Sequence, residues 1–399
     1  MVCEKGKIAG EQSSRNWGWV RQMGRDEAEL PIMMESTRIW EGLSTEVGSD
    51  LGFRREGSLY LCENEDDVSR HDRFRSFAPA YGLESQLLNS QQLYGMLHHS
   101  SRLWTAALHT PSDGRAEPAV AVPAMAQACI TRGVSILENC AVRSISTANQ
   151  EIDGVYTERG FVKCSVAVCC GGAWTSTFLY NCGIHMPQLT VKASVVRTAP
   201  APLLFAGNAS GSRLAFRRRE DGGYTIAMGD YLEVFPSMQS LRQLRQFLPL
   251  LSTAYNKLNL RFGGDANEKF YGRRTWSGEE VSPFEINRIL SPVPTDKTIE
   301  RLRALLARQL PILKDIEFSE TWAGMIDATP DMIPVMDRAP GIRGLHIASG
   351  FSGHGFGIGP AAGKIMARLI ENKTVEHDLS RFRLSRFSDG SALKLGPSI

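Results

Sequence analysis

Apolar residues recur at helical spacing between Glu29 and Val47, with Leu30, Met33, Met34, Thr37, Trp40 and Leu43 near one stripe, which predicts a helix there. Ahead of it, residues 1–5 read as a short strand ended by Gly6. The segment Gly10–Arg25 is rich in Ser, Arg, Asn, Trp and Gly and keeps no period, as expected of an irregular loop that lines something. A strand is predicted from Gly57 to Cys62, then a polar-faced helix from Glu65 to Tyr81, ended near Gly82. Asp113-Gly114 marks a turn. Glu117-Pro118 opens a helix to about Arg132, with proline where the first turn tolerates it. Strands follow over Val134–Ile145, Ile152–Tyr156, Phe161–Cys164 and Val166–Cys170. Gly171-Gly172 ends the last of them, and Ala173–Asn181 reads as a short helix.

From about residue 185 to 320, short strands alternate with polar helices, among them the strand Tyr224–Gly229 and the helices Leu241–Leu251 and Thr298–Leu310. The last section offers a buried strand, Gly344–Ser349, a glycine-rich loop and a helix, Pro360–Glu371. Beyond Phe387 few apolar anchors remain, and a disordered tail is expected. Strand–loop–helix units at both ends around an inserted middle predict an α/β nucleotide domain built from distant segments. The middle is expected to form a second, sheet-plus-helix domain.

The 399 residues exceed a typical single core and suit two intertwined domains. A formal net charge of +2 is too balanced for a nucleic-acid surface, and Arg217-Arg218-Arg219 reads as a solvated edge. The 8 cysteines show no CxxC and no His/Cys cluster of metal-ligand spacing, so no metal site is expected. They read as reduced, buried thiols of a cytosolic protein. Cys169-Cys170 reads as core filling, with a redox disulfide as the alternative. No apolar run is long enough to span a membrane, and the start MVCEKGK reads as the middle of a domain rather than a signal peptide.

Three features carry chemistry. An acidic residue ending the second strand of a dinucleotide-binding domain accepts two ribose hydroxyls at once, and Glu4 is placed for that. The glycine fingerprint belongs about 20 residues earlier, so the first strand, pyrophosphate loop and first helix are expected to be missing. The second feature is Gly350–Pro360, with five glycines between a strand and a helix. Glycines let backbone approach a flat ligand, and a helix N-terminus favours negative charge, such as that at the N1–C2=O edge of a reduced flavin. A plain turn is the other reading. The third is VAVCCGGAW, Val166–Trp174, whose glycine pair either lets a cofactor pass over the strand end or makes a tight turn. Val142 is a candidate for main-chain bonds to an adenine.

EKGKIAGEQSSRNWGWVRQ, HTPSDGRAEPA, VAVCCGGAW, WAGMIDATPDMIPV and GLHIASGFSGHGFGIGPAAGKIMARLI, in this order, resemble the FAD-dependent D-amino-acid oxidase superfamily. That superfamily includes D-amino-acid dehydrogenases, glycine oxidases and sarcosine oxidases. The resemblance spans nearly the whole chain; GFSGHGFG and TPD-x-x-P are its more specific parts. It implies a discontinuous FAD-binding Rossmann-like domain from residues 1–50, 105–185 and 320–387, truncated at its N-terminus. An α+β substrate domain with an antiparallel sheet would take residues 51–104 and 186–319, leaving 388–399 as a tail. FAD would be non-covalent, its ring between the domains. Glu4 would hold the ribose, and Ser13, Ser14, Arg15 and Asn16 would wrap pyrophosphate and flavin. Val142, Gly171 and Gly172 would flank the adenine side, and Trp174 would also bind the cofactor. Gly353, His354, Gly355, Phe356 and Gly357 would sit at the pyrimidine edge, Trp322, Gly324 and Thr329 on the substrate side, and Gly350 would also bind the cofactor.

Substrate residues transfer less directly. Glycine oxidases often place an arginine shortly after the glycine of the strand resembling WAGMIDATPD, where this chain has Met325 and Ile326. Sarcosine oxidases add a lysine after GHGF, where this chain has Gly357. Arg21 is therefore the first candidate for a substrate carboxylate, because a planar guanidinium binds one bidentately. Tyr271 and Arg274 are second candidates; a surface or structural arginine is the other reading of Arg21 and Arg274. His354 is a candidate donor to the flavin's carbonyl edge. The expected reaction is oxidation of a C–N bond of an amino acid or secondary amine, with electrons passed on to oxygen or a quinone. The alternative is an inactive or FAD-deficient remnant of the family. An NAD-dependent dehydrogenase would lack its fingerprint. The expected location is cytoplasmic, with peripheral contact at the inner membrane as the variant.

Overall fold

The computed structural model describes residues 1–234, 238–254, 258–261 and 275–395. In chain order the first elements are β1 (Val2–Cys3), α1 (Gln12–Arg15), β2 (Trp19–Val20), α2 (Leu30–Val47), β3 (Ser58–Cys62), α3 (Glu65–Ser69), α4 (Asp72–Phe77), β4 (Gln86–Asn89), α5 (Ser90–Met96), β5 (Ala106–Thr110), β6 (Gly114–Arg115) and α6 (Pro118–Thr131). Then come β7 (Ile136–Leu137), β8 (Val142–Ala148), β9 (Glu151–Thr157), β10 (Gly160–Lys163), β11 (Ala167–Cys169), α7 (Thr175–Asn181), β12 (Leu189–Thr198), β13 (Asn208–Ser210), β14 (Leu214–Arg218), β15 (Tyr224–Met228) and β16 (Leu232–Val234). The rest are α8 (Met238–Ala254), β17 (Leu258–Leu260), α9 (Pro283–Ile286), α10 (Asp296–Gln309), β18 (Phe318–Ala328), β19 (Val335–Arg338), β20 (Leu345–Ser349) and α11 (Gly355–Ile370).

The α/β class and its two kinds of sheet stand. Parallel pairs β1–β7 and β11–β20 carry the nucleotide-type part, and α2 packs on α11 beside them. Trp40, Met33, Ile358, Ala362 and Ile365 are buried in that helix layer. The other part is a ten-stranded sheet in the order β17-β16-β12-β15-β14-β13-β3-β5-β4, with β18 along β12. Its β12–β18 pairing is antiparallel over nearly the full length of both strands. α10 covers this sheet with Leu302, Leu305 and Leu306.

Three elements differ from the sequence expectation. The single helix over 65–81 is broken into α3, α4 and a 3-10 turn at Ala78–Tyr81. Proline at 79 lacks the N–H a continuing helix needs, and Gly82 closes the turn at φ 74°. The strand over 134–145 is interrupted. Asn139 sits at φ 48°, and the N–H groups of Asn139 and Cys140 donate to Gly6 O and Glu4 O instead of continuing a ladder. The last helix begins at Gly355 rather than Pro360. Ser36 Oγ and Trp40 Nε1 both donate to Gly357 O, at 2.7 and 3.0 Å, and tie its first turn to α2.

All eight cysteines are free, but Cys129 and Cys170 are exposed rather than buried. The tail is anchored as far as it is described: Arg381 and Arg73 donate to Lys394 O and Leu395 O, at 2.8 and 2.7 Å. Among the described residues no helix is long and apolar enough to cross a membrane, and no acid, His and Cys group could hold a metal.

Candidate active site

The loop 12–25 reaches the site from α1 through β2. Trp19 and Val20 pair with Arg115 and Gly114 of β6. Asp113, just before β6, accepts from the N–H groups of Gln22 and Met23 at 2.6 and 3.4 Å, and so fixes the loop that carries Arg21. Burial pushes the Asp113 carboxyl up to about 6 despite these donors. Beneath the loop, Arg217 donates from Nε to Trp17 O at 2.6 Å and grips Glu117 with both Nη atoms, at 2.7 and 3.1 Å.

A second wall comes from β12 and β18. Their register sets Leu189 opposite Ala328, Val191 opposite Ile326 and Ala193 opposite Gly324, which puts these six residues on one face of the pair. Glycine at 324 lets the Gln12 side chain pack against the strand: a Cβ there would lie 1.7 Å from Gln12 Oε1 and push that side chain aside. The third wall is the loop after β20 and the N-terminus of α11. Asp327 pins it: the carboxylate accepts from Gly350 N at 2.8 Å, and its own carbonyl accepts from Ser352 N at 3.0 Å.

The three walls enclose a cavity of about 370 Å³. Of the residues singled out in the sequence, Arg15, Asn16, Arg21, Gly324, Gly353, His354 and Phe356 line it. Ser13, Ser14, Trp322, Thr329, Gly350, Gly355 and Gly357 lie outside the lining, in the segments that build it. Trp322 supports the loop by donating to Arg15 O at 2.9 Å. Tyr271 and Arg274 fall outside the described residues.

A separate group gathers away from the lining. Glu4 O accepts from Cys140 N at 2.8 Å, and Ala141, beside Val142, shares an apolar cluster with Trp174. Lys5 Nζ stands 4.6 Å from the centre of the Trp174 ring, just after Gly171 and Gly172. Burial raises the Glu4 carboxyl above its usual value, and its Oε1 accepts from Gly6 N at 2.8 Å. Glu4, Val142, Gly171, Gly172 and Trp174 thus lie in one neighbourhood, covered by the segment around α9 through Phe284 and Arg288.

Sequence reasoning passed over Gln12, Trp17, Trp19, Arg25 and Tyr60, which also line the cavity. The repeat of arginine four residues after Arg21, in RQMGR, is the one signal that could have found Arg25. Four buried polar atoms of the lining have no partner: Gln12 Oε1, Trp19 Nε1, Arg25 Nη1 and His354 Nδ1. Burial, then Arg25 and Arg21, hold His354 well below the usual histidine range, so it is neutral near pH 7.

Asp327 gives a pH prediction. Burial raises its carboxyl from 3.8 to about 6. A raised carboxyl contributes stability that is complete below its unfolded value and lost as pH rises through the folded one. Asp327→Asn does not titrate there. Between about pH 4 and pH 8, urea unfolding should show stability moving in the variant's favour by on the order of 3 kcal/mol. A gap that does not change with pH would refute the assignment.

The sequence profile of the FAD dependent oxidoreductase family, DAO, matches residues 1–369. Mouse mitochondrial sarcosine dehydrogenase is 24% identical over 400 residues, covering 97% of this chain and 38% of that protein. The chain thus spans about two fifths of the length of that relative. Sarcosine oxidase subunit beta of Arthrobacter sp is 23% identical, with 98% of this chain and 84% of that protein covered. Among solved structures, L-amino acid deaminase from Proteus myxofaciens in complex with anthranilate superposes with a TM-score of 0.92 at 26% identity, covering 97% of this chain and 88% of that one.

Proposed function

Because the chain belongs to the DAO family of FAD-dependent oxidoreductases, we propose that it oxidises the C–N bond of an amino acid or secondary amine in the cavity between residues 12–25 and 353–356. The observation that carries this reading is a set of three unpartnered polar atoms in residues that line it, Gln12 Oε1, Trp19 Nε1 and His354 Nδ1. They include a donor and an acceptor, and suit the alternating edge of a flavin ring. The bare backbone of Gly353 leaves room for that ring: a Cβ there would meet only Ile326, at 3.7 Å. In this reading Arg15, Asn16, Gly324, Gly353 and Phe356 hold the flavin end. Glu4, Val142, Gly171, Gly172 and Trp174 hold the adenosine end, with Ser13 and Ser14 between them.

FAD held there would supply the two-electron acceptor for oxidation at the amine's α-carbon, and the imine so formed would take up water to give a keto acid or aldehyde with release of ammonia or an amine. The chain's own residues supply the rest. Arg21 holds the substrate carboxylate. Neutral His354 offers a hydrogen bond without adding charge. The N-terminus of α11 would favour the negative charge that reduction places on the flavin. Leu189, Val191, Ile326 and Ala328 give the substrate's side chain an apolar wall and exclude water.

The test is anaerobic mixing of the FAD-loaded protein with a panel of D- and L-amino acids, glycine and sarcosine. Bleaching of the visible flavin bands by at least one of them is expected. Oxygen uptake against reduction of a quinone dye then separates the two acceptors. A flavin that stays oxidised with every amine and amino acid tried would rule this function out.

A further inference from the structure

The cavity holds a second cation, four residues after Arg21. Arg21 is partly engaged: its Nη1 donates to Met23 O, and its guanidinium stands 6.0 and 5.7 Å from the centres of the Trp19 and Tyr60 rings. Arg25 is shut away from water, with 1% of its surface exposed. Its Nε donates to Arg21 O at 3.2 Å, and Nη2 reaches His354 O only at 3.5 Å. Its Nη1 donates to nothing. A buried guanidinium N–H without an acceptor is costly, and such groups normally face a carboxylate.

The surrounding acids do not fill that role. Asp113 is turned to the Gln22 and Met23 amides. Asp26 faces Arg381 at 3.3 Å. Glu29 is buried, and its Oε1 is itself without a partner. Burial pushes the Glu29 carboxyl up to about 7, whereas Arg25, lowered to about 10, keeps its charge. The Tyr60 hydroxyl, raised by burial, stays neutral, and so does His354. This end of the cavity therefore has a surplus of positive charge and one free, buried donor.

We propose that Arg25 is a second carboxylate-binding residue of the substrate site, so that the substrate's carboxylate is bridged between Arg21 and Arg25. The proposal rests on the function given above and narrows it: the substrate must carry a free carboxylate, and simple amines are excluded.

The test uses the FAD-loaded protein and two unreactive probes, benzoate and its neutral counterpart benzamide. Binding is read by calorimetry and by the shift of the flavin band. Benzoate should bind, and Arg25→Met should weaken it at least about tenfold while leaving benzamide and flavin content unchanged. Arg25→Lys should recover part of the loss. Arg25→Met removes the positive charge that eases ionisation of Glu29, so Arg25→Met/Glu29→Gln repeats the test with that acid made neutral. Benzoate affinity within about twofold of the parent in both variants, with flavin retained, overturns the role of Arg25. If amino acids still bleach the flavin of those variants with unchanged apparent KM, only this proposal fails. If plain amines bleach the parent and amino acids do not, the reading of the substrate class fails with it.

Discussion

Glu117→Ala is expected to lower the stability of the protein by about 3–5 kcal/mol. Arg217 has 1% of its side chain exposed, and Glu117 neutralises it through two hydrogen bonds of 2.7 and 3.1 Å. Glu117 also accepts from Glu220 N at 3.0 Å. Burial pushes the Glu117 carboxyl up, but the bond and charge of Arg217, the charge of Arg219 and the Glu220 N–H together outweigh it and hold the group below its usual value. Its contribution is therefore present above the unfolded value of 4.5 and lost as pH falls through the folded one. Alanine leaves a guanidinium buried without a counter-charge. The damage should reach the cavity, because Arg217 Nε also holds Trp17 O at 2.6 Å. Urea unfolding followed by tryptophan fluorescence measures the loss, and Glu117→Leu/Arg217→Met should recover much of it. A loss under about 1 kcal/mol would show that water reaches the pair.

Arg21→Ala should raise the apparent KM for an amino-acid substrate about thirtyfold or more, with a smaller effect on kcat. The guanidinium is assigned to the carboxylate, which is held equally before and during oxidation, so its loss weakens binding more than it slows chemistry. Arg21 Nη1 also donates to Met23 O, so the flavin spectrum must be checked to exclude a collapsed loop. An unchanged KM with an intact flavin spectrum would remove Arg21 from the substrate site.

The cradle was legible where local pattern and chemistry coincide. The strand, glycine loop and helix around residues 344–370 could be read because glycine spacing and apolar periodicity are local. The start of α11 could not, since five glycines hide a helix whose first turn is held by Ser36 and Trp40 from far away in the chain. Gly10–Arg25 was recognisable as a lining segment, but Gln12 and Trp19 became site residues only through partners on β18 and β6. The apolar wall depends on the pairing of Val191 with Ile326, a register set by the whole sheet. Asp113 and Asp327 were invisible as buried anchors because burial is decided by elements far apart in sequence. The same reason misplaced Cys129 and Cys170.

A titration of the purified protein with FAD, followed by the visible spectrum and by quenching of tryptophan fluorescence, reaches the centre of the account. Trp17 and Trp19 stand on the cavity wall and report on anything that enters it. Saturable binding with one FAD per chain, a shifted flavin spectrum and quenched emission are the expected result. FAD that stays free at stoichiometric concentration, with unchanged tryptophan emission, would contradict the account.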